Sequence, residues 1–341
     1  MLKRQTYRVL CLILFVTLVA AGCGGGDGNN QGGQDSDKPV LLQAGHAVAE
    51  AHPYHLGLLK FKEIVETNTD GQVTVEIFPN GTLGSERDMV EGLQMGSIDV
   101  LVTSTGPVIN FIPEMGLVDL PFLFSSSEHA YQVLDGEVGR ELLQKFDAIG
   151  IKGLAFWENG FRHLTNSVRP VTSVEDIQGL NIRTMENEVH QAAFKVLGAS
   201  PTPMAWGEVF TSLQQGTIDG QENPVPIIYT MNIYEVQKYL ALTGHFYSPA
   251  LLLFSQKAFD ELTPGQQEIC RAAALEAAAY EREKINEQTE EQLALLEEKG
   301  MVITKPDVQA LREATGAVYE QYRDKFGPDR IEKILAADPN K

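Results

Sequence analysis

The stretch Leu93-Gln94-Met95-Gly96-Ser97-Ile98-Asp99 returns almost unchanged as Leu213-Gln214-Gln215-Gly216-Thr217-Ile218-Asp219. Each copy ends an amphipathic helical pattern at a glycine, and an extended run begins at Ile98 or Ile218. A helix, a glycine stop and a strand form half of a βαβ unit. Two copies therefore predict two α/β lobes built on one plan, with a ligand crevice between them. The alternative is that the stretch is only a common turn from helix to strand.

The N-terminus has the features of an export signal. Three basic residues precede an uncharged apolar run over 9–21, which is short for a membrane span. The run ends in Ala20-Ala21-Gly22-Cys23, which resembles a bacterial lipobox. This resemblance implies a lipoprotein signal peptide over 1–22 and lipidation of Cys23, and a plain secretory signal is the alternative. Residues 23–38 are polar and glycine-rich, so we expect a flexible tether there.

The composition indicates an exported protein whose stability depends on buried surface area and not on disulfide bonds. The chain has 341 residues and a formal net charge of −19, from 27 basic and 46 acidic residues. Nucleic acid and anionic membrane surfaces are therefore poor partners, and an anionic ligand needs local arginines to hold it. If the signal removes Cys11 and lipid occupies Cys23, only Cys270 remains, so no internal disulfide is expected. We interpret Cys270 as core filler in a helix.

Hydrophobic periodicity predicts the elements of the first lobe. A helix over 85–95 is expected to begin at Ser85 as its N-cap, and a strand is expected from Ile98. A further apolar strand over 151–157 is expected to turn at Glu158-Asn159-Gly160.

The second lobe shows the same alternation of strands and helices. A strand is expected over 180–185, and Pro201 and Pro203 are expected to end regular structure before the next helix. Strands over 239–243 and 251–255 read as segments that run back between the lobes, which suits a hinge.

A helix of unusual length is predicted near the C-terminus. Thr263-Pro264-Gly265-Gln266 has the form of a capping box, and Gly300 supplies the stop. A single helix to Lys299 would be about 54 Å long, more than the width of one lobe. The alternative is two helices with a break near Asn286.

These patterns predict an α/β protein of two lobes. The expected divisions are lobe I over 39–159, lobe II over 160–248, a return to lobe I with the long helix over 249–288, and a C-terminal part of lobe II over 289–341.

No catalytic or cofactor motif is found in the chain. It has no Gly-x-Ser-x-Gly elbow, no phosphate-binding glycine loop, no His-Glu-x-x-His and no cysteine pair for zinc. His52 and His55 are three residues apart, but Pro53 lies between them and no third ligand is near. We therefore expect no cofactor, no metal and no catalytic residue, and we interpret this segment as a helix-start loop facing the crevice.

Arg183 is the strongest candidate for ligand binding. It alternates with Ile182 and Thr184 near the end of a predicted strand, so it lies on the opposite face. A guanidinium there presents a fork of donors that matches a carboxylate in two parallel hydrogen bonds. The alternative is a structural ion pair, for instance with Glu222, and both roles are compatible.

Two further residues carry weaker signals. Arg162 follows a glycine at the predicted lobe junction and is either a second cation for the ligand or a surface arginine. Trp206 opens a helix after a proline-rich loop and either stacks on the ligand or belongs to the core.

Two motifs carry a resemblance to a known family. They are Asp219-Gly220-Gln221-Glu222-Asn223-Pro224 and the stretch from Gly198 to Trp206 with the sequence Gly-Ala-Ser-Pro-Thr-Pro-Met-Ala-Trp. By these residues the chain resembles the DctP-like solute-binding subunit of TRAP (tripartite ATP-independent periplasmic) transporters, over 40–335. The resemblance implies a two-lobed fold like that of periplasmic binding proteins, with crossing hinge strands and one long helix that spans both lobes.

The resemblance also implies a set of ligand-binding residues. Arg183 would form the salt bridge to the carboxylate of the ligand, Arg162 and Asn223 would add hydrogen bonds, and Glu222 would brace Arg183. Three more residues complete the expected site: Trp206 as an aromatic beside the ligand, His46 in the loop after the first strand, and Ser104. Ser104 occupies a position that is glutamate in some sialic-acid binders, which argues against sialic acid here.

The resemblance implies an extracytoplasmic protein that captures a small organic acid, such as a uronate or a dicarboxylate, and delivers it to TRAP permease subunits. Attachment to the membrane would be through the lipid on Cys23 alone, and a monomer is expected. Two alternatives are a lipid-anchored enzyme acting on acidic sugars, with Glu86, Glu158 or Glu186 as candidate carboxylates, and a ligand-sensing subunit of a membrane receptor. The identity of the acid does not follow from the sequence.

Overall fold

The computed structural model describes residues 39–339, in which nine strands form one mixed sheet. At one end β1 (Val40–Gly45), β2 (Val73–Phe78) and β3 (Val100–Ser104) are parallel, in the order β2-β1-β3. At the other end the order β6-β5-β7 repeats this plan. Its strands are β5 (Asn181–Thr184), β6 (Ser200–Pro203) and β7 (Gly220–Asn223). We call the elements around β1–β3 the first lobe and those around β5–β7 the second lobe.

The repeated sequence adopts the same local structure in both lobes. It follows α2 (Glu86–Met95) in the first lobe and α7 (Trp206–Gln214) in the second, and both Gly96 and Gly216 adopt the left-handed conformation, with φ of 72° and 69°. The final aspartate then accepts a backbone N–H from the neighbouring parallel strand. Gln43 N lies 2.8 Å from Asp99 Oδ2, and Asn181 N lies 2.7 Å from Asp219 Oδ2. The prediction of two lobes on one plan is confirmed.

Both strands begin two residues later than predicted. β3 starts at Val100 and β7 at Gly220, since the aspartate carboxylate takes the place of a backbone carbonyl at the start of each parallel pair. Ser85 is the N-cap of α2 as predicted, in a capping box with Asp88.

Two long strands connect the lobes. β4 (Ile151–Asn166) and β8 (Tyr239–Ser255) are antiparallel, and the sheet runs from β3 through β8 and β4 to β7. The predicted turn at Glu158-Asn159-Gly160 is wrong, because β4 continues through it with an irregular register, and Gly160 has φ of 112°. The two strands predicted over 239–243 and 251–255 are likewise one strand.

The prolines of the second lobe do not end regular structure. Pro201 and Pro203 belong to β6, which pairs with β5 and lies at the end of the sheet order. An edge strand accommodates proline because its outer N–H groups have no ladder partner. The sequence-based expectation of a break there is therefore wrong.

The long helix is continuous and reaches both lobes. α10 (Pro264–Glu298) has 35 residues and begins with a capping box between Thr263 and Gln266. Its N-terminal half packs Cys270 and Ala274 into the core of the first lobe, while Leu296 packs into the core of the second. The single helix is thus confirmed, as is the two-lobed α/β fold class, and the break near Asn286 is wrong.

The other helices cover the faces and ends of the sheet, and β9 (Val302–Thr304) pairs with β8. They are α1 (Pro53–Asn68), α3 (Thr105–Val108), α4 (Ser127–Leu134), α5 (Glu137–Gln144), α6 (Glu188–Val196), α8 (Val225–Thr230), α9 (Gln256–Glu261), α11 (Val308–Ala314), α12 (Gly316–Phe326) and α13 (Pro328–Ala336).

Cys270 is fully buried, as predicted, and burial raises the pKa of its thiol to about 12. Across residues 39–339 no helix combines the length and apolar character that a membrane span requires. The predicted signal peptide, the lipidation of Cys23 and the tether over 23–38 lie outside the described residues.

We expect Asp99→Ala and Asp219→Ala each to lower the free energy of unfolding by about 1–3 kcal/mol. Each change removes the charged acceptor of a backbone N–H at the start of a strand pair. Urea unfolding followed by circular dichroism measures this, with Asp324→Ala at an exposed position as the control. Equal stability of all three variants would contradict the role of the motif.

Candidate functional site

A narrow pocket lies between the two lobes, and the space between its lining atoms is about 360 Å³ with the open solvent at its mouth included. We call it the cleft pocket. Ser104, Arg183, Trp206 and Asn223 line it, so four of the predicted residues come together there. The remaining lining residues are Ala47, Val48, Tyr54, Glu86, Asn159, Met185 and Ile227.

Arg183 lies on β5 and is almost fully buried, at 2% exposure. The Met204 carbonyl accepts from both Nε and Nη2, at 2.9 and 2.6 Å. Nη1 donates to no residue in 39–339, and no carboxylate in that range forms an ion pair with Arg183. Burial lowers the pKa of Arg183 to about 10, so the side chain stays charged at neutral pH. The pocket therefore contains a fixed cation whose charge lacks a direct counter-ion.

Arg162 is also fully buried, so the surface interpretation of this residue is wrong. It lies on β4 beside β7 and forms a two-pronged contact with Glu222, in which Nη2 lies 2.9 Å from Oε1 and Nε donates to Oε2. Glu222 therefore pairs with Arg162, and the expected direct brace or ion pair between Glu222 and Arg183 is wrong. The Met204 carbonyl orients Arg183 instead.

The Glu222 carboxylate is strongly stabilised in its charged form. Burial acts to raise its pKa, but the Arg162 charge and the hydrogen bond with His245 hold that pKa well below its usual range. His245 Nε2 lies 3.3 Å from Glu222 Oε2, and burial lowers the pKa of this histidine despite the carboxylate. Arg162 and Glu222 thus form a buried ion pair, and His245 is a further partner of the Glu222 carboxylate.

Asn223 connects this buried pair to the cleft pocket. Its Oδ1 accepts from Arg162 Nη2 at 2.9 Å, and its side chain lines the pocket. Arg162 is not among the lining residues, but its Nη1 is buried without a partner in residues 39–339. Arg162 consequently positions Asn223, and its own contact with a ligand stays a prediction.

Trp206 lies at the pocket wall and also packs against the core, and its stacking on a ligand stays a prediction. It is the first residue of α7, lines the cleft pocket and also packs against buried apolar residues of the core. The Arg183 guanidinium carbon lies 5.6 Å from the centre of its ring, within the range of a cation–π contact. The tryptophan therefore forms an apolar wall beside the cation.

His46 lies behind the pocket, not in its wall. It is fully buried, and its Nε2 lies 3.0 Å from His55 Nδ1. Burial, with the neighbouring His55, lowers the pKa of His46 to about 3, so it is neutral. The next residues, Ala47 and Val48, line the pocket in its place. The expectation that His46 contacts the ligand stays a prediction, and His46 is not among the described residues that line the pocket.

The histidine pair His52 and His55 has local structural roles. His52 is the N-cap of α1, where its Nδ1 accepts from Tyr54 N at 3.2 Å. Within residues 39–339, no group of three or more His, Cys, Asp or Glu side chains is arranged to hold a metal ion.

Sequence reasoning missed three polar residues of the pocket, Glu86, Tyr54 and Asn159, as ligand-binding candidates. Ser104, which was expected, donates its hydroxyl to Glu86 Oε1 at 3.1 Å, so Glu86 is held at the pocket wall. Each missed residue adjoins a noted motif: the start of α2, the His-Pro-Tyr-His segment and the Glu-Asn-Gly stretch of β4. Glu158, a candidate catalytic carboxylate, instead accepts from Ser127 and Tyr131 and does not line the pocket.

Glu222→Gln should lower the free energy of unfolding at pH 7 by about 3–5 kcal/mol, because Arg162 is then a buried charge without its counter-ion. A carboxylate with a depressed pKa stabilises the fold above the pKa of the unfolded chain, about 4.3, and this contribution is lost as pH falls. The difference from wild type should therefore be smaller at pH 3.5 than at pH 7.

Urea unfolding at both pH values measures the effect, with Glu291→Gln at an exposed position as the control. A difference between wild type and Glu222→Gln that does not change with pH would show that the Glu222 charge is not what stabilises this part of the fold.

Comparisons with known proteins show the family to which the chain belongs. Residues 44–325 match the family model described as bacterial extracellular solute-binding protein, family 7. A protein of Verminephrobacter eiseniae named as a solute-binding protein is 44% identical over 85% of this chain and 88% of its own length.

Solved structures of TRAP periplasmic solute-binding proteins have the same fold. The protein of Polaromonas sp. JS666, bound to D-erythronate, is 43% identical with a TM-score of 0.86, and the match covers 87% of this chain and 98% of that one. The protein of Sulfurospirillum deleyianum, with bound succinate, is 32% identical with a TM-score of 0.85, and the match covers 88% and 100%. The resemblance inferred from the sequence is confirmed: the chain belongs to family 7 of the bacterial extracellular solute-binding proteins, the TRAP solute-binding subunits.

Proposed function

We propose that this protein captures a small organic acid in its cleft pocket, outside the cytoplasm, and delivers it to a TRAP-type membrane permease. The observation that carries the proposal is the state of Arg183. Its guanidinium is buried at the pocket wall, is oriented by Met204, and has no carboxylate partner among residues 39–339. Leaving a buried charge unpaired is costly, so an anionic ligand is the missing partner.

The pocket supports binding coupled to closure of the lobes. Ser104 and Glu86 belong to the first lobe, whereas Arg183, Trp206 and Asn223 belong to the second. A ligand that contacts both walls favours the closed arrangement over the open one, which is what a ligand must do to shift such an equilibrium. The strands β4 and β8 connect the lobes, and we propose that they are the hinge.

The pocket gives no support to an enzymatic role. Among the described residues that line it, only Glu86 is a carboxylate, so the cleft pocket itself holds no pair of carboxylates for hydrolysis. Relatives that bind D-erythronate and succinate are solute-binding proteins of TRAP systems, which favours capture without turnover.

The position of the protein in the cell follows from its family and its N-terminal sequence. We propose that residues 1–22 are a lipoprotein signal peptide, that lipidated Cys23 is the only membrane attachment, and that the folded part is a monomer at the end of the tether. The division at residues 160, 249 and 289 between parts of the two lobes stays a prediction.

Arg183→Ala should weaken the binding of D-erythronate or succinate, whichever the wild type binds more tightly, by roughly 30-fold or more. The reason is the loss of a charge-assisted, desolvated pair with the carboxylate. Arg183→Lys should recover part of the affinity, since lysine keeps the charge but lacks the planar fork. Isothermal titration calorimetry measures both.

The matched control is Arg87→Ala, which removes an exposed arginine near the cleft. It should change the affinity little, because an exposed charge is screened. If Arg183→Ala, folded by circular dichroism, bound as tightly as wild type, the proposed capture of a carboxylate by Arg183 would be refuted.

A further inference from the structure

The cleft pocket has a second polar wall that faces the one with Arg183. We propose that Glu86, Tyr54 and Asn159 recognise hydroxyl groups, so that the preferred ligand is a polyhydroxylated acid with one carboxylate, not a dicarboxylate. This inference rests on the proposed function, in which Arg183 takes the carboxylate, and it names the class of acid and the residues that select it.

Glu86 is fixed as a hydrogen-bond acceptor at the first-lobe wall. Its Oε1 accepts from Thr103 Oγ1 at 2.8 Å, from Ser104 Oγ at 3.1 Å and from Ser104 N at 3.3 Å. Its Oε2 accepts from no residue in 39–339, although Glu86 lines the pocket. One carboxylate oxygen thus anchors the side chain and the other is left for a donor on the ligand.

Two neighbouring side chains have buried polar atoms without partners. The Tyr54 hydroxyl and Asn159 Oδ1 make no hydrogen bond within residues 39–339, and both side chains are at most 3% exposed. Both line the cleft pocket. A buried polar atom without a partner is destabilising, so atoms of this kind in a ligand pocket indicate where polar groups of the ligand bind.

The distribution of charge separates the two ends of the ligand. The cation Arg183 belongs to the second lobe, and the carboxylate Glu86 belongs to the first. A dicarboxylate that pairs one end with Arg183 brings its other end towards Glu86, where the two like charges repel. A hydroxyl group at that end donates to Glu86 Oε2 and adds no charge.

Hydroxyl groups also fit this wall better than an ammonium group. An ammonium only donates, whereas a hydroxyl donates and accepts. Burial raises the pKa of the Tyr54 hydroxyl well above its ordinary value, so this group keeps its proton and can donate to the ligand. A chain of hydroxyls can accept from Tyr54 and donate to Glu86 and Asn159, which satisfies all three.

The test uses acids of matched chain length that carry, besides the first carboxylate, either several hydroxyl groups, a second carboxylate or an ammonium group. At four carbons these are D-erythronate, succinate and 4-aminobutanoate, and at six carbons they are galactonate, adipate and 6-aminohexanoate. Calorimetric titration of wild type should show that the hydroxylated acid binds at least roughly 10-fold more tightly than the dicarboxylate of the same length.

Two conservative variants then show which residues are responsible for the preference for the hydroxylated acid. Glu86→Gln should reduce the preference for the hydroxylated acid over the dicarboxylate by roughly 10-fold or more, since it removes the repelling charge and keeps the shape. Tyr54→Phe should weaken the hydroxylated acid roughly 5- to 10-fold and affect the dicarboxylate less. Glu208→Gln, an exposed carboxylate in the first turn of α7, is the control for net charge and should leave the preference unchanged.

The outcomes separate this inference from the proposed function. Equal wild-type affinity for succinate and D-erythronate, or equal effects of Glu86→Gln on both, would refute the recognition of hydroxyl groups by Glu86, Tyr54 and Asn159. Capture of the carboxylate by Arg183 would be unaffected. If 4-aminobutanoate and 6-aminohexanoate bound more tightly than the hydroxylated acids, the proposal would be refuted and these residues would instead recognise an ammonium group. Binding of none of the six compounds would count against carboxylate capture itself and so against both. Unfolding curves of each unliganded variant confirm that the comparison is made on folded protein.

Discussion

Two opposite charges buried side by side, on Arg162 and Glu222, are the constraint on which the binding site depends. Both side chains are fully enclosed, and they join β4 to β7 by bonds from Nε and Nη2. Loss of either partner leaves a bare charge in the interior, so the two strands have one acceptable register. The same guanidinium holds Asn223 at the pocket wall, so the buried pair determines where this side chain lies in the second lobe.

Arg183 shows the opposite arrangement. Its orientation comes from a backbone carbonyl, which directs the guanidinium without neutralising it. Arg162 thus pairs with Glu222 and positions Asn223, whereas Arg183 has no carboxylate partner among residues 39–339. The sequence did not separate these roles, because both arginines are candidates by type and position.

The two lobes contribute different chemistry to one pocket. The second lobe supplies the cation and an aromatic wall, and the first supplies acceptors held by Ser104 and Thr103. Neither wall alone satisfies an acid that also carries polar groups at its far end. The helix α10 and the strands β4 and β8 extend between the lobes, so these three elements connect the two walls of the pocket.

Several features followed from the sequence alone because their physical signals are local. The capping box at Thr263, the glycine stops at Gly96 and Gly216, and the alternation around Arg183 each involve residues within a few positions of one another. Such signals determined the long helix, the two matching lobes and the choice of Arg183. Tertiary structure alone decided the partner of Glu222, the continuation of β4 through Gly160, and the place of His46 behind the wall. It also decided that Tyr54, Glu86 and Asn159 meet in one pocket, since these contacts join residues far apart in the chain and depend on which strands are neighbours in the sheet.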